Sequence, residues 1–365
     1  MKKTIVAKIL GIILVIIILS GCTNENKTRV EIRCDIMMEA IERASIAMKM
    51  ISAGSSLSFA VKEDGGFWAW GGFDLFDQLE DVIAISASEL HVLILKSNGD
   101  LWTWGENTHG QLGEDINITM DSPPVKIMEN VNAISTGTWQ SAAIKSDGSL
   151  WVWGGYIQSI PVKIMDDVIA VSVEGGLVVK SDNSLWQTNF RWTDFEHIMD
   201  DVAAISSSRN HFLAIRTDGS LWSWGFNWGG QLGNGTNDSE NIPVRIMENV
   251  IAISAGMSCT MAIQSDGSLW AWGLNFYGQL GTGTNEGTRV PIKIMEDVVA
   301  VSAGGITGNM GFALPIHTIA LRSDGTLWAW GDKVNIAFGD ETLAHYERRW
   351  IPLPPKQIME GLRVP

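Results

Sequence analysis

The sequence predicts an all-β fold, a single closed β-propeller, on three observations. One Trp-rich hairpin phrase occurs seven times along the 365 residues. A second phrase, Ile-Met-Glu-Asn/Asp-Val-x-Ala-Ile/Val-Ser, recurs upstream of the hairpins, as at Ile127 to Ser135, Ile246 to Ser254 and Ile294 to Ser302. Its second half stands near the start of the repeats as Met50-Ile51-Ser52-Ala53, and its first half near their finish as Ile358-Met359-Glu360-Gly361. Those two ends are expected to meet in one blade and close the ring. A unit that cannot bury its own apolar surface must stack on copies of itself, so the repeats outrank any local pattern.

The first element is a leader. Lys2, Lys3 and Lys8 precede or enter an apolar run, Ile9 to Leu19, which ends in Leu19-Ser20-Gly21-Cys22. That order of charge, apolar stretch and small residues reads as a secretory signal over 1–21. Its last four residues resemble a bacterial lipobox, which implies a lipid on the Cys22 thiol. The apolar run is short of the ~20 residues that a membrane span needs. The expectation is a chain lipid-anchored through acyl chains; the alternative is an uncleaved membrane anchor, and both put the rest of the chain outside the cytoplasm. Residues 22–46 follow as a lipidated Cys, the polar tether Thr23 to Thr28, and a stretch from Val30 to Ile46 that suits a short helix packed on the ring or a degenerate strand.

The propeller is expected over 47–365. Ser265-Asp266-Gly267-Ser268-Leu269-Trp270-Ala271-Trp272-Gly273 is one clear hairpin copy, and Ser146 to Gly154, Thr217 to Gly225 and Ser323 to Gly331 are three more. Variants run over Asp64 to Gly71, Asn98 to Gly105, and the decayed Asp182-Asn183-Ser184-Leu185-Trp186. An Asp-Gly link between apolar runs is a strong hairpin signal and predicts a type I′ turn with positive φ at both residues. Alternation along Leu-Trp-x-Trp leaves both faces of the strand apolar, as in a sheet sandwiched between neighbours.

Downstream of several hairpins stand Asn107-Thr108-His109-Gly110-Gln111-Leu112-Gly113, Asn227-Trp228-Gly229-Gly230-Gln231-Leu232-Gly233 and Asn275-Phe276-Tyr277-Gly278-Gln279-Leu280-Gly281. With the two phrases above, they resemble the repeat of the regulator of chromosome condensation family (RCC-type repeats) over roughly 47–365. The resemblance implies a seven-bladed β-propeller. The family's eukaryotic founder exchanges guanine nucleotides on a small GTPase and docks on chromatin. The leader and the acidity of the present chain set it apart from that founder.

Composition limits the partners. The 26 Lys and Arg against 41 Asp and Glu give a net charge of -15, and loss of the leader lysines makes it more negative still. Such a surface repels phosphate backbones, so no nucleic acid partner is expected. The Asp-Gly carboxylates read as turn residues, and Gly233-Asn234-Gly235 lacks the strand and helix of a phosphate loop. His91, His211 and His317 share one register in separate blades and should not converge on one metal, and the resemblance implies that they are structural, so no metal, cofactor or catalytic residue is expected. Cys34 and Cys259 read as free thiols, with Cys259 in a position that other repeats fill with small or ordinary residues.

Function is sought in residues that fail to repeat. Loops after the Ser-x-Gly and Trp-Gly phrases both lie at the end opposite the Asp-Gly turns. They collect Glu89, Trp139, Tyr156, Phe190, Trp192, Arg209, Phe226, Trp228, Phe276 and Tyr277, and the insertion between Gly304 and His317 adds Phe312. Aromatic and Arg side chains are the usual anchors of protein interfaces. The expectation is a monomeric, non-catalytic surface lipoprotein that binds another protein through this end. The alternatives are an enzyme or enzyme subunit acting on envelope glycans or peptides, marked by a carboxylate pair in the channel, and a nucleotide exchange factor.

Overall fold

A computed structural model describes residues 29–54, 58–62, 64–70, 79–88, 91–114, 122–304, 317–331, 355–360, 362 and 364. The chain divides into two compact units, 1–36 and 37–365. Helix α1 (Arg29–Met48) occupies the stretch for which a helix or a strand was expected, and from Met37 onward it belongs to the second unit. There Met37, Ile41, Ala44 and Ala47 are buried at helical spacing, which makes one apolar stripe.

The second unit holds seven antiparallel sheets, the seven blades of an all-β propeller, spanning 51–70, 82–128, 131–165, 168–199, 202–247, 250–295 and 298–359. The sixth blade is typical. Its inner strand Val250–Ala255 pairs with Cys259–Gln264, that strand pairs with Leu269–Gly273, and Thr288–Met295 lies outermost. The last range named is preceded in the fifth blade by Glu240–Met247, which plays the same outer part. Each complete inner strand carries a bulge at the start, as where Val250 pairs with Gln264 but Ala252 with Ile263. The residue just before is Asn249, with φ 59, a left-handed position that Asn and Asp tolerate best. This explains the Glu-Asn-Val and Glu-Asp-Val spellings of the repeat.

The hairpin turns differ from the expected type I′. Only the glycine has positive φ, 82 at Gly267, and Asp266 does not. Gly267 N–H donates to Gln264 O at 2.9 Å, and Gln264 N–H to Ser268 O at 3.0 Å. That is a three-residue loop, a right-handed turn followed by a left-handed glycine. Asp stands where its Oδ1 can accept the N–H of Ser268 at 2.9 Å, which explains the Asp without any need for positive φ. In the decayed fourth copy Asn183 takes the glycine's place with φ 63.

Three tiers of bonds join neighbouring blades. Nearest the axis, each inner-strand Ser hydroxyl accepts a backbone N–H of the next blade. Ser52 accepts from Ala87, Ser86 from Thr136, Ser135 from Val173, Ser172 from Ser207, Ser206 from Ala255, Ser254 from Ala303, and Ser302 from Ala53, at 2.9–3.1 Å. The seventh bond returns to the first blade, so the circuit is complete. In the middle tier His91 Nε2 meets Ser141 Oγ at 2.8 Å and His211 Nε2 meets Thr260 Oγ1 at 3.1 Å. Those hydroxyls donate onward to the carbonyls of Gln111 and Gln231, both at 2.8 Å. This direction assigns the proton to Nε2 of a neutral ring. Burial agrees, holding His91 down to about 3 and His211 and His317 to about 4.

The outer tier belongs to the second Trp of several hairpins. Trp153, Trp272 and Trp330 donate Nε1–H to the carbonyls of Gln111, Gln231 and Gln279 of the preceding blade at 2.8–2.9 Å. Gly233, in the Gln-Leu-Gly phrase, has φ +78, and a Cβ there would stand 2.6 Å from Trp272 Nε1. The phrase is thus a socket for the next blade's Trp. The first Trp lies at the rim, with Lys145 Nζ 4.9 Å above Trp151, for example. Cys259 corrects the expectation of an ordinary repeat position. It pairs with Gly273 as His91 pairs with Gly105, so it holds the histidine register, fully buried, with its thiol pushed up to about 12 by desolvation.

Ring closure takes place in the first blade. Its inner strand is Ile51–Ala53, and the position that Val250 fills in the sixth blade is filled by Leu362, bridged to Lys62. Leu362 N–H donates to Gly325 O at 3.1 Å, as Val298 N–H donates to Gly267 O. One blade therefore contains both ends of the ring.

Candidate binding face

The inner strands finish, and the hairpin strands begin and end, on the side opposite the Asp-Gly turns. There a cavity of about 350 Å³ opens at the mouth of the central channel, lined by Glu174, Ser208, Arg209, Phe226, Trp228 and Met257 among others. The loops around it are held from within. Asn227 Nδ2 donates to the carbonyls of Thr236 and Asp238 at 3.1 and 3.0 Å, and Asn227 Oδ1 accepts the N–H of Leu232 at 2.9 Å. Asn275 repeats this with Thr284, Glu286 and Leu280. A buried amide that meets several backbone groups fixes its loop without a regular strand.

On this scaffold the rings form a continuous ladder. His109 stacks on Trp139 with centroids 5.0 Å apart, Trp139 meets Tyr156 at 6.4 Å, and Tyr156 meets Phe190 at 5.1 Å. The guanidinium of Arg209 lies 5.6 Å over Trp139, and that of Arg191 lies 5.7 Å over Phe190. The ladder crosses from the second blade to the fourth, and Arg209 reaches it from the fifth. Gln140 Nε2 donates to Phe190 O at 2.7 Å, and Glu174 accepts from Thr138 Oγ1 at 2.8 Å, so the seam between the third and fourth blades is pinned twice beneath it.

Tyr156 is 62% exposed and Trp228 63%, enough to meet a partner as they stand. Phe190, Phe226 and Phe276 are also exposed, as is Arg209, while Trp139 and Tyr277 are half-buried. Trp192 differs. It is 4% exposed, with its ring among Ile144, Val152 and Val178 and its Nε1–H on Gln140 Oε1 at 3.3 Å. Its φ of 60 turns it inward, so it packs in the core beside Phe195 rather than facing a ligand. Glu89 and Phe312 lie outside the described residues, as do Cys22 and the insertion and tail segments at 305–316 and 332–354.

The sequence reading passed over His109 and Glu174. His109 had a signal, since it fills the position of Tyr277 in the Asn-x-x-Gly-Gln phrase. Glu174 had none, because its partner Thr138 is in another blade. Among the described residues no group of three or more His, Cys, Asp or Glu could hold a metal ion. The same residues contain no helix long and apolar enough to cross a membrane.

Comparison with known proteins bears on this geometry. A family model described as "RCC1-like domain" matches residues 72–363. Human E3 ubiquitin-protein ligase HERC2 is 25% identical over 108 residues, which take in 25% of this chain and 2% of that one. The chain therefore spans a small fraction of the curated relatives it matches. Yeast RCC1 (Prp20), solved bound to Kap60, superposes with a TM-score of 0.64 at 20% identity, covering 81% of this chain and 78% of its own. A Saccharomyces cerevisiae Prp20p structure, described with its binding properties to Gsp1p and histones, gives 0.63 at 18% identity, covering 87% and 89%. At such identities the likeness concerns the fold.

Proposed function

Because the chain belongs to the RCC1-like domain family, we propose that it is a non-catalytic binding protein whose loop-rich face docks on another protein. The observation that carries the reading is the ladder from His109 to Phe190, flanked by Arg191 and by Arg209, which lines the channel mouth together with Trp228. Rings already stacked on one another lose little side-chain freedom on binding, and loops pinned by buried amides lose little more. The proposal includes the leader, with 1–21 removed and Cys22 lipidated, so that the face is presented outside the cytoplasm. Incorporation of labelled fatty acid into the wild-type chain and its loss in Cys22→Ala tests that part.

For the face, the processed chain carrying Cys22→Ser is compared with the same chain carrying Tyr156→Ala, Arg209→Ala and Trp228→Ala. A captured partner, once purified, is expected to bind the variant at least 30-fold more weakly, since anchors of this type contribute about 2 kcal/mol or more. Unchanged affinity with an unchanged melting temperature sinks the reading. A second reading is favoured by the yeast relative's description, which names Gsp1p. It is exchange-factor activity, and faster nucleotide release from a small GTPase in the presence of this chain tests it.

A further inference from the structure

Below the mouth, the channel holds a second cavity of about 300 Å³ whose lining differs from everything around it. Its walls are the inner strands, contributing Ile134, Ile205, Ile253 and their neighbours, and its floor on one side is α1 through Ile41, Ser45 and Met48. The helix covers the turn end over the fifth to seventh blades. Met37 sits against Gly219, Ile41 packs with Val250 and Ile253, and Ala44 packs with Val298 and Val301. The helix thus lies across part of the turn end, opposite the loop-rich mouth.

One titratable side chain is found among the described residues of that lining, and it is a cation. Lys49 sits where α1 passes into the first inner strand, its own carbonyl held by Ile85 N–H at 3.2 Å. No carboxylate lines the cavity with it, and none of the ion pairs among the described residues includes it. The Lys49 side chain is reached by water from the channel, while desolvation by the surrounding walls lowers its pKa from the ordinary lysine value. Ser52, Ser206, Ser254 and Ser302 also line the cavity, and each has its oxygen engaged by a neighbouring backbone N–H. The group each has left to offer inward is its proton.

We propose that the channel is an anion site in which Lys49 is the counter-charge and the Ser hydroxyls are the donors, and that its ligand is a carboxylate on a slim apolar chain entering from the loop-rich mouth. The isoleucine walls fit the apolar chain, and one ammonium fits a single negative charge better than the two of a phosphate monoester. The site is independent of protein docking on the face above, and its failure would leave that reading intact.

Calorimetric titration with hexanoate, and with hexan-1-ol as its uncharged counterpart, tests the site. The chain is expected to bind hexanoate saturably, and Lys49→Met to bind it at least tenfold more weakly while binding hexanol equally. The tripeptide Ala-Ile-Leu, with a free or an amidated C-terminus, distinguishes the sources of the carboxylate. Tighter binding of the free peptide acid than of hexanoate assigns it to a chain terminus, and the reverse to a free acid. Equal hexanoate binding by the two proteins, or no saturable binding of any carboxylate, overturns the proposal. Should Lys49→Met fail to fold, the wild-type chain with ¹³C-dimethylated lysines decides instead. Hexanoate must move the Lys49 titration to higher pH and must bind less well as pH rises through it, and an unmoved titration overturns the proposal.

Discussion

Each of the three seam histidines is held in one protonation state by what surrounds it. In the unfolded chain each takes up a proton near pH 6.5, whereas burial holds the folded groups to about 3 for His91 and about 4 for His211 and His317. Between those limits the unfolded state binds more protons, so stability falls as pH falls, by up to about 1.4 kcal/mol per unit for each histidine. Urea midpoints measured from pH 7 to pH 4 should drop steeply, and His211→Gln should flatten the slope below pH 6.5. An unchanged slope in the variant would show that carboxylates alone govern the acid limb. Residue identity was legible where a role repeats. It was misleading at Trp192, which looks like its exposed neighbours in sequence and is turned into the core by one left-handed residue.

At the scale of elements, hairpins and their spacing were readable because Asp-Gly and Leu-Trp-x-Trp meet a need internal to one blade. The turn type was not, since an Asp-Gly pair suits both a two-residue loop and the second half of a three-residue one. Two substitutions test the left-handed position of the loop. Gly267→Ala forces a left-handed Ala with its Cβ 3.3 Å from Asp297 Cα and should cost about 1–2 kcal/mol. Asn183→Gly, at the same place in the fourth blade, should leave stability unchanged or raise it by a few tenths of a kcal/mol. Chemical denaturation of the two variants checks both signs. The contacts between blades were the part hidden from the sequence. The acceptor for Trp272 is a backbone carbonyl 41 residues upstream, and nothing about a carbonyl is written in its side chain. The helix left open by its composition is settled by packing, as Met37, Ile41, Ala44 and Ala47 find apolar surface.

For the whole molecule, closure was foreseeable from the divided phrase, and the register of Leu362 beside Lys62 gives its form. Truncation after Glu360 removes Leu362, its bond to Gly325 and its place in the core with Ile51 and Leu321. The truncated chain should unfold at least 2 kcal/mol more easily by urea titration, from lost leucine burial and one lost hydrogen bond. Unchanged stability would mean that the first blade closes without it. The Ser circuit around the axis has a further consequence. Each of its seven links runs the same way, from a hydroxyl of one blade to an amide of the next, and the link across the joint matches the six inside the chain. As far as this inner seam is concerned, covalent order is an accident of where the circle is cut. A circular permutant opened at another Asp-Gly turn, with the present ends joined by a flexible linker, should rebuild the same ring with its clasp in a different blade.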